Sequence, residues 1–177
     1  SWRNKNYNKA NRGKRLEQMI EQANERYKHI DRALVQKIPT PVKVLNNHGG
    51  KVTGFYEKKS TVDYIGTYKG IPITFDAKQT SVETRFDLSN LKQHQYNYMK
   101  NWQENDGISF LVVRFSSLDE IYYLPFEALQ YWQEEADRKS IPYDEFEHEI
   151  DPDGLIVVDY LTKLEEVEKM IKNKGVI

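Results

Sequence analysis

Apolar and polar positions alternate with period two along residues 71–78, with Ile71, Ile73, Phe75 and Ala77 against Thr74, Asp76 and Lys78. That period predicts a half-buried strand carrying Asp76 and Lys78 on one face. Tyr68-Lys69-Gly70 is turn-forming, so Asp63 falls on the preceding segment, and hairpin pairing would bring it alongside Asp76. The period becomes helical at Leu16, Met19, Ile20, Ala23, Tyr27 and Ile30, which predicts a helix from about residue 11 to 29. Residues 33–38 predict a short strand, ended by Pro39-Thr40-Pro41, since proline cannot donate to a ladder. Residues 42–45 and 51–59 predict two strands of a hairpin around the turn Asn46-Asn47-His48-Gly49-Gly50.

Further along, residues 79–86 form a polar loop containing Arg85. Ser89 is a suitable N-cap for a second helix reaching about residue 103, with the stripe Leu91, Gln95, Tyr98, Met99 and Trp102. Residues 108–115 are almost continuously apolar and predict an inner strand. Residues 120–124 predict another, and Pro125 stands as the first residue of a helix carrying Phe126, Leu129, Tyr131 and Trp132. Residues 140–153 are acidic and irregular, fit no EF-hand loop and predict a solvated loop. A last helix, about 160–172, buries Leu161, Leu164, Val167, Met170 and Ile171.

Composition narrows the chemistry. At 177 residues, with 12 Tyr, 7 Phe and 3 Trp, the chain can build the core of one domain. It has no cysteine, which removes disulfides, thiolate catalysis and cysteine-ligated metals. Its four histidines (His29, His48, His94, His148) lack metal-ligand spacing, which argues against a zinc hydrolase. No run of about 18 apolar residues exists, and the start is polar and basic, so a cytoplasmic protein with no membrane association is expected.

The net charge of −1 conceals a strong division. Residues 1–60 hold 14 Lys and Arg against 5 Asp and Glu, a balance of +9, and the rest of the chain is at −10. Such asymmetry points to a polyanion-binding portion on an acidic body. A basic tail with no partner is the plainer alternative. Residues 1–10 are expected to form a flexible arm. Arg3, Lys5, Lys9, Arg12, Lys14 and Arg15 all precede the first acid, Glu17, and would neutralise phosphates in a salt-dependent way.

Two carboxylates and an ammonium converging at one sheet edge can hold a hard divalent cation and activate a water. A solvated strand face with a surface ion pair fits Asp63, Asp76 and Lys78 as well. Gln95, on a stripe where an apolar side chain is expected, needs a polar partner if buried, and the acidic strand edge before it is the nearest candidate. It fits equally a half-exposed boundary position. Glu17 suits a first-turn dipole partner or a residue facing a site. In the hairpin, lysines interleaved with Phe55 and Tyr56 read as a protected edge or, preferably, as a nucleic-acid contact.

The separated motifs resemble one family. Asn11-Arg12-Gly13 with Leu16-Glu17, Pro39-Thr40-Pro41-Val42, Phe55-Tyr56 with Lys58-Lys59, residues 60–66 with Asp63, Phe75-Asp76-Ala77-Lys78, and the Leu91-to-Met99 segment with His94-Gln95 occur in the order of the RecU Holliday junction resolvases. These are PD-(D/E)xK nucleases. The resemblance implies an α/β fold, a restriction-endonuclease-like mixed β-sheet flanked by helices, with a projecting β-hairpin stalk at about 40–60 inserted in one nuclease domain spanning 11–177. It implies that Asp63 and Asp76 are metal ligands, with the Ala77 carbonyl a third. Lys78 would orient the attacking water, with Gln95 and Glu17 as supporting site residues. Arg12, Lys14, Arg15, Lys37, Lys43, Lys51, Phe55, Tyr56, Lys58 and Lys59 would contact DNA. Magnesium, with manganese as substitute, is the implied cofactor. A four-way DNA junction is the implied substrate, and a homodimer the implied assembly. A RecA-type recombinase and a branch-migration helicase are the implied partners, in a bacterial cell or encoded by a phage. Asp76 departs from the Glu common in the family, though the wider motif admits either acid. Competing readings are a PD-(D/E)xK endonuclease acting on linear duplex, a non-catalytic junction-binding or recombinase-modulating protein, and an α/β domain with a basic tail.

Overall fold

A computed structural model describes residues 15–56 and 61–175 of the chain. Helix α1 (Leu16–His29) buries Leu16, Met19, Ile20, Ala23 and Tyr27, with Asn24 beside them. Arg15 is extended and ends the helix on its N-terminal side, so α1 begins with the first residue of its apolar stripe, Leu16, and not near residue 11. Ile30 is exposed rather than part of the stripe, because the helix has already terminated there.

Strands β1 (Ala33–Lys37), β4 (Tyr64–Tyr68), β5 (Ile71–Thr80), β7 (Ile108–Phe115) and β8 (Glu120–Pro125) form a mixed sheet in the order β1-β4-β5-β7-β8. All neighbours are antiparallel except β5 and β7, which are parallel. A parallel neighbour requires a crossover, and helix α2 (Gln93–Glu104) lies on that connection. Lys69 and Gly70, at φ of 48° and 77°, close the β4–β5 hairpin with the left-handed pair that a two-residue turn demands. Gly66 is needed for a different reason. A Cβ there would stand 2.3 Å from the Leu34 carbonyl oxygen, so β1 and β4 approach this closely only over a glycine.

Each face of the sheet carries its own apolar cluster. On one, α1 and helix α4 (Tyr160–Gly175) pack over Tyr64, Phe75, Phe110 and Tyr123. On the other, α2 and the short helix α3 (Phe126–Gln130) pack over Leu111, Val113, Phe115 and Leu124. Strand β5 is therefore not half-buried. Ile73, Thr74, Phe75 and Asp76 are all buried, because the strand is central and covered on both faces. The Thr74 hydroxyl is accommodated by donating to the Tyr64 carbonyl at 2.8 Å. Four rings stack across four strands, Tyr64 on Phe75, Phe75 on Phe110 and Phe110 on Tyr123, with centroids 4.7, 4.7 and 4.6 Å apart.

Strands β2 (Val42–His48) and β3 (Lys51–Tyr56) form a separate two-stranded sheet. Every residue of β2 is exposed. The turn is only Gly49-Gly50, both at positive φ, and the strand continues through Asn46-Asn47-His48, where the asparagines suggest a loop. A bulge between Val44 and Asn46 absorbs the extra residue.

Several other expectations change. Residues 79–86 are only partly loop, since β5 runs to Thr80 and β6 (Arg85–Asp87) pairs with β9 (Ser140–Pro142). Ser89 lies in a 3-10 turn, and Lys92 is the N-cap of α2. Tyr96 joins the buried stripe, while Tyr98 and Trp102 are half-exposed. Pro125 closes β8 and caps α3, which passes into a π turn at Tyr131–Glu135. The acidic stretch 140–153 is anchored, not solvated: Ile141, Phe146 and Ile150 are buried. Backbone bonds from Tyr123 N–H to His148 and from Ile150 N–H to Ile121 stitch it to β8. Met170 is exposed, beside rather than on the stripe of Leu161, Leu164, Val167 and Ile171 that packs on the sheet. Among the described residues no helix is long and apolar enough to cross a membrane.

Candidate active site

The β4–β5 register sets the site. Tyr64 pairs with Phe75, so the next residues outward, Asp63 and Asp76, stand side by side at the end of the hairpin. Each carboxylate takes a hydrogen bond from the other strand. Asp63 N–H donates to Asp76 Oδ1 at 2.9 Å, and Ala77 N–H donates to Asp63 Oδ2 at 3.0 Å. Two reciprocal bonds of this kind fix both carboxylates against the backbone.

Lys78, on the same face as Asp76, holds its Nζ 2.9 Å from Asp76 Oδ2 and donates to Gln95 Oε1 at 3.2 Å. The ion pair is close but out of line for a hydrogen bond, and the buried Asp76 Oδ2 has no hydrogen-bond partner among the described residues. Gln95 Oε1 also accepts the Lys92 N–H at 3.1 Å, which locks it to the first turn of α2. The buried glutamine thus answers to an ammonium and to its own helix, not to the carboxylates of the strand edge. Its acceptor atom is the one the helix terminus needs.

Asp76 is fully buried, which removes the solvated-face alternative. Burial pushes its carboxyl up to about 7, the Asp63 charge adds to the rise, and Lys78 opposes it. A buried carboxyl beside a half-buried second carboxylate, relieved by a single cation, is poised to exchange its proton for a positive charge.

On the α1 side a cleft of about 270 Å3 is lined by Arg15, Leu16, Glu17, Ala77, Lys78 and Gln79. Glu17, in the first turn of α1, therefore faces the same strand end as Lys78. Arg15 stands at its rim.

The other expected positions lie apart. Lys37 ends β1 opposite Tyr64 and is exposed, one strand away from Asp63. Lys43 pairs with Phe55 across the hairpin, and both are exposed, as is Lys51 beside the Gly49-Gly50 turn. Arg12, Lys14, Lys58, Lys59 and the arm 1–10 lie outside the described residues, as does the side chain of Tyr56. Gln79 reads in the sequence as a loop residue, and sequence reasoning missed it. Continuing the alternation past Ala77 would have placed it on the cleft. Arg114 was the other signal, a lone charge inside the apolar run of β7.

Comparison with known proteins places this geometry in context. The family described as RecU, recombination protein U, matches residues 11–166. A Holliday junction resolvase RecU of Oceanobacillus iheyensis is 40% identical over 144 residues, spanning 76% of this chain and 74% of its own. The protein of that name from Staphylococcus epidermidis is 41% identical over 143 residues, spanning 76% and 69%. Among solved structures, Archaeoglobus fulgidus Hjc, a Holliday junction resolvase, overlaps 69% of this chain and 86% of its own at a TM-score of 0.39 and 9% identity, too loosely to argue from.

Proposed function

The chain belongs to the RecU family, and from that premise we propose that it is a Holliday junction resolvase, a structure-specific endonuclease nicking four-way DNA junctions in recombination and repair. The observation that carries the proposal is the hydrogen-bonded juxtaposition of Asp63, Asp76 and Lys78 at one strand end. On this reading residues 11–177 act as one nuclease unit with the hairpin of about 40–60 as its stalk.

The residues fit a divalent cation. Asp76 Oδ2 is buried with Lys78 Nζ at 2.9 Å and no aligned hydrogen bond, a second carboxylate adjoins it, and the oxygen donor set suits a hard ion. Among the described residues no group of three or more His, Asp or Glu side chains converges, so the ligands would be Asp63, Asp76, the Ala77 carbonyl and water. Magnesium, with manganese as substitute, supplies there a Lewis acid for the scissile phosphate and a water of lowered pKa. Lys78, held between Asp76 and Gln95, presents an ammonium to the attacking water and to the charge that builds on the phosphate. Gln95 keeps that ammonium in place, and Glu17 faces it from across the cleft. Attack in line then leaves a 5′-phosphate.

The +9 balance of residues 1–60 holds the DNA backbone, with Arg12, Lys14, Arg15, Lys37 and the stalk lysines as its contacts and Phe55 and Tyr56 in the open centre of the junction. Two matched nicks call for two sites, hence a two-fold homodimer. A RecA-type recombinase, a branch-migration helicase and a bacterial cytoplasm, with the gene a bacterium's or its phage's, complete the setting this reading expects.

The test is cleavage of a mobile four-way junction beside a linear duplex of the same sequence, with magnesium or with EDTA. Paired symmetric nicks on the junction alone, lost in EDTA, are expected. Equal cutting of both substrates would replace the resolvase by a general endonuclease, and tight binding without cutting under any metal would remove the enzyme.

A further inference from the structure

Arg114 is only 6% exposed, a buried guanidinium near the end of a strand with no other charged residue. Burying such a charge is unfavourable unless it is paired. Its Nη2 donates to Asp119 Oδ1 at 3.0 Å, at the β7–β8 turn. Its Nη1 donates to Gln79 Oε1 at 3.1 Å, directly across the parallel β5–β7 pair, where the two residues share a register position. Gln79 is exposed and lines the cleft with Glu17, Ala77 and Lys78.

The chemistry of the pair sets the orientation of the amide. A guanidinium has donors and no acceptor, so the atom facing Arg114 is the Gln79 oxygen. Both amide hydrogens are then left for the cleft. A chain Asp119–Arg114–Gln79 runs from a surface turn, through a buried charge, to a neutral donor beside Lys78. An ordinary exposed glutamine rotates freely. This one has its oxygen committed, and its donor group is held where Lys78 meets the cleft.

We propose that Gln79 is a substrate-contacting residue of this site, donating its amide N–H to a non-bridging oxygen of a backbone phosphate at or next to the scissile bond, with Arg114 as its positioning residue. The proposal rests on the nuclease reading above. A neutral donor suits that place, because it grips a phosphate oxygen without forming an ion pair with Glu17 or competing with Lys78 for Asp76.

Two substitutions separate contact from structure. Gln79→Glu keeps an oxygen for Arg114 and removes the donors. Gln79→Met removes both. Single-turnover cleavage and junction Kd are measured for these and for wild type, on all-phosphate junctions and on junctions carrying one methylphosphonate at the scissile position or at either neighbour. Both variants are expected to cut at least tenfold more slowly, with Gln79→Glu melting no lower than wild type. One methylphosphonate should slow wild type similarly yet slow Gln79→Met less than twofold further. Arg114→Met should match the loss of Gln79→Met. The proposal is overturned if Gln79→Glu cuts within twofold of wild type, or if every methylphosphonate slows Gln79→Met as much as wild type. If wild type binds but does not cut, the nuclease reading fails on its own. The same cycle read in Kd then decides the contact: non-additive losses support it and additive losses sink it.

Discussion

The β2–β3 hairpin, proposed as the stalk, and the β4–β5 hairpin with Asp63 and Asp76 at its end are stabilised in opposite ways. Strands β4 and β5 sit inside a sheet with helices on both faces and a four-ring aromatic row across four strands. Strands β2 and β3 pair with each other in a sheet of two, with Val42, Val44, Leu45, Val52 and Phe55 exposed. A lone two-stranded hairpin is marginal in water, so its shape rests on its own ladder, the Gly49-Gly50 turn and its attachment to the body. The difference teaches where accuracy is needed. Reacting groups must be held to a fraction of an ångström, which only a buried, over-determined hairpin provides. On the proposed function, the β2–β3 surface meets a large, deformable DNA partner and can be left exposed and compliant.

The largest effect that would test this division is on turnover. Asp76→Ala or Lys78→Ala should lower single-turnover junction cleavage roughly 10³-fold or more, while stalk substitutions leave the chemical step itself intact. Circular dichroism should report an unchanged fold for Lys78→Ala, since Lys78 lies near the C-terminal end of β5 with 19% of its side chain exposed. Equal losses from Phe55→Ala in the chemical step would break the comparison.

The same truncation in the two hairpins gives the next contrast. Phe75→Ala removes the ring stacked between Tyr64 and Phe110 and should cost about 3–5 kcal/mol in urea unfolding. Phe55→Ala, at 50% exposure, should cost less than about 0.5 kcal/mol. A stalk that melted the protein when truncated would mean that it belongs to the core.

These hairpins also differ in how far they were legible. Asp63, Asp76 and Lys78 could be read from residues 61–78 because the alternation, the turn at Lys69-Gly70 and the acids are all local. Gln95 stood out as polar on an apolar stripe. The burial of Asp76 was not legible, because it depends on α2 covering the second face, and nothing within β5 reports that. The acidic stretch 140–153 misled for a related reason. Its three buried side chains, Ile141, Phe146 and Ile150, follow no period, and the bonds that hold it run to β8, some 25 residues back. Of the stalk, pattern fixed the two strands and missed that Asn46-Asn47-His48 continues one of them, since a bulge has no composition of its own.

The acid pair predicts a pH dependence that the stalk lacks. The Asp76 carboxyl stands near 7 in the folded protein against an ordinary 3.8, so the fold binds that proton more tightly than the unfolded chain does. Its contribution to stability is fully present below about pH 3.8 and is lost as pH rises through about 7. In EDTA, melting temperature should therefore fall between about pH 4 and 7 and level off above that, by an amount equivalent to a few kcal/mol at most, and Asp76→Asn should flatten the fall. A slope unchanged in Asp76→Asn would assign it to another group.

The smallest effect is reserved for the exposed charges. Lys43 and Lys51 project from a hairpin with no core, so replacing both by Ala should leave melting within about 0.5 kcal/mol of wild type. Each lysine that no longer neutralises a phosphate should lower the slope of log Kd against log salt by about 0.7–0.9. The double variant should thus bind the junction with a slope shallower by roughly 1.4–1.8 and cut saturated junction at the wild-type rate. This outcome would separate the two hairpins cleanly, one governing how tightly DNA is held and the other how fast it is cut. If the salt slope stayed the same while affinity fell, the stalk would be touching the junction through Phe55 and its apolar neighbours rather than through its lysines, and the charge of the first 60 residues would act elsewhere.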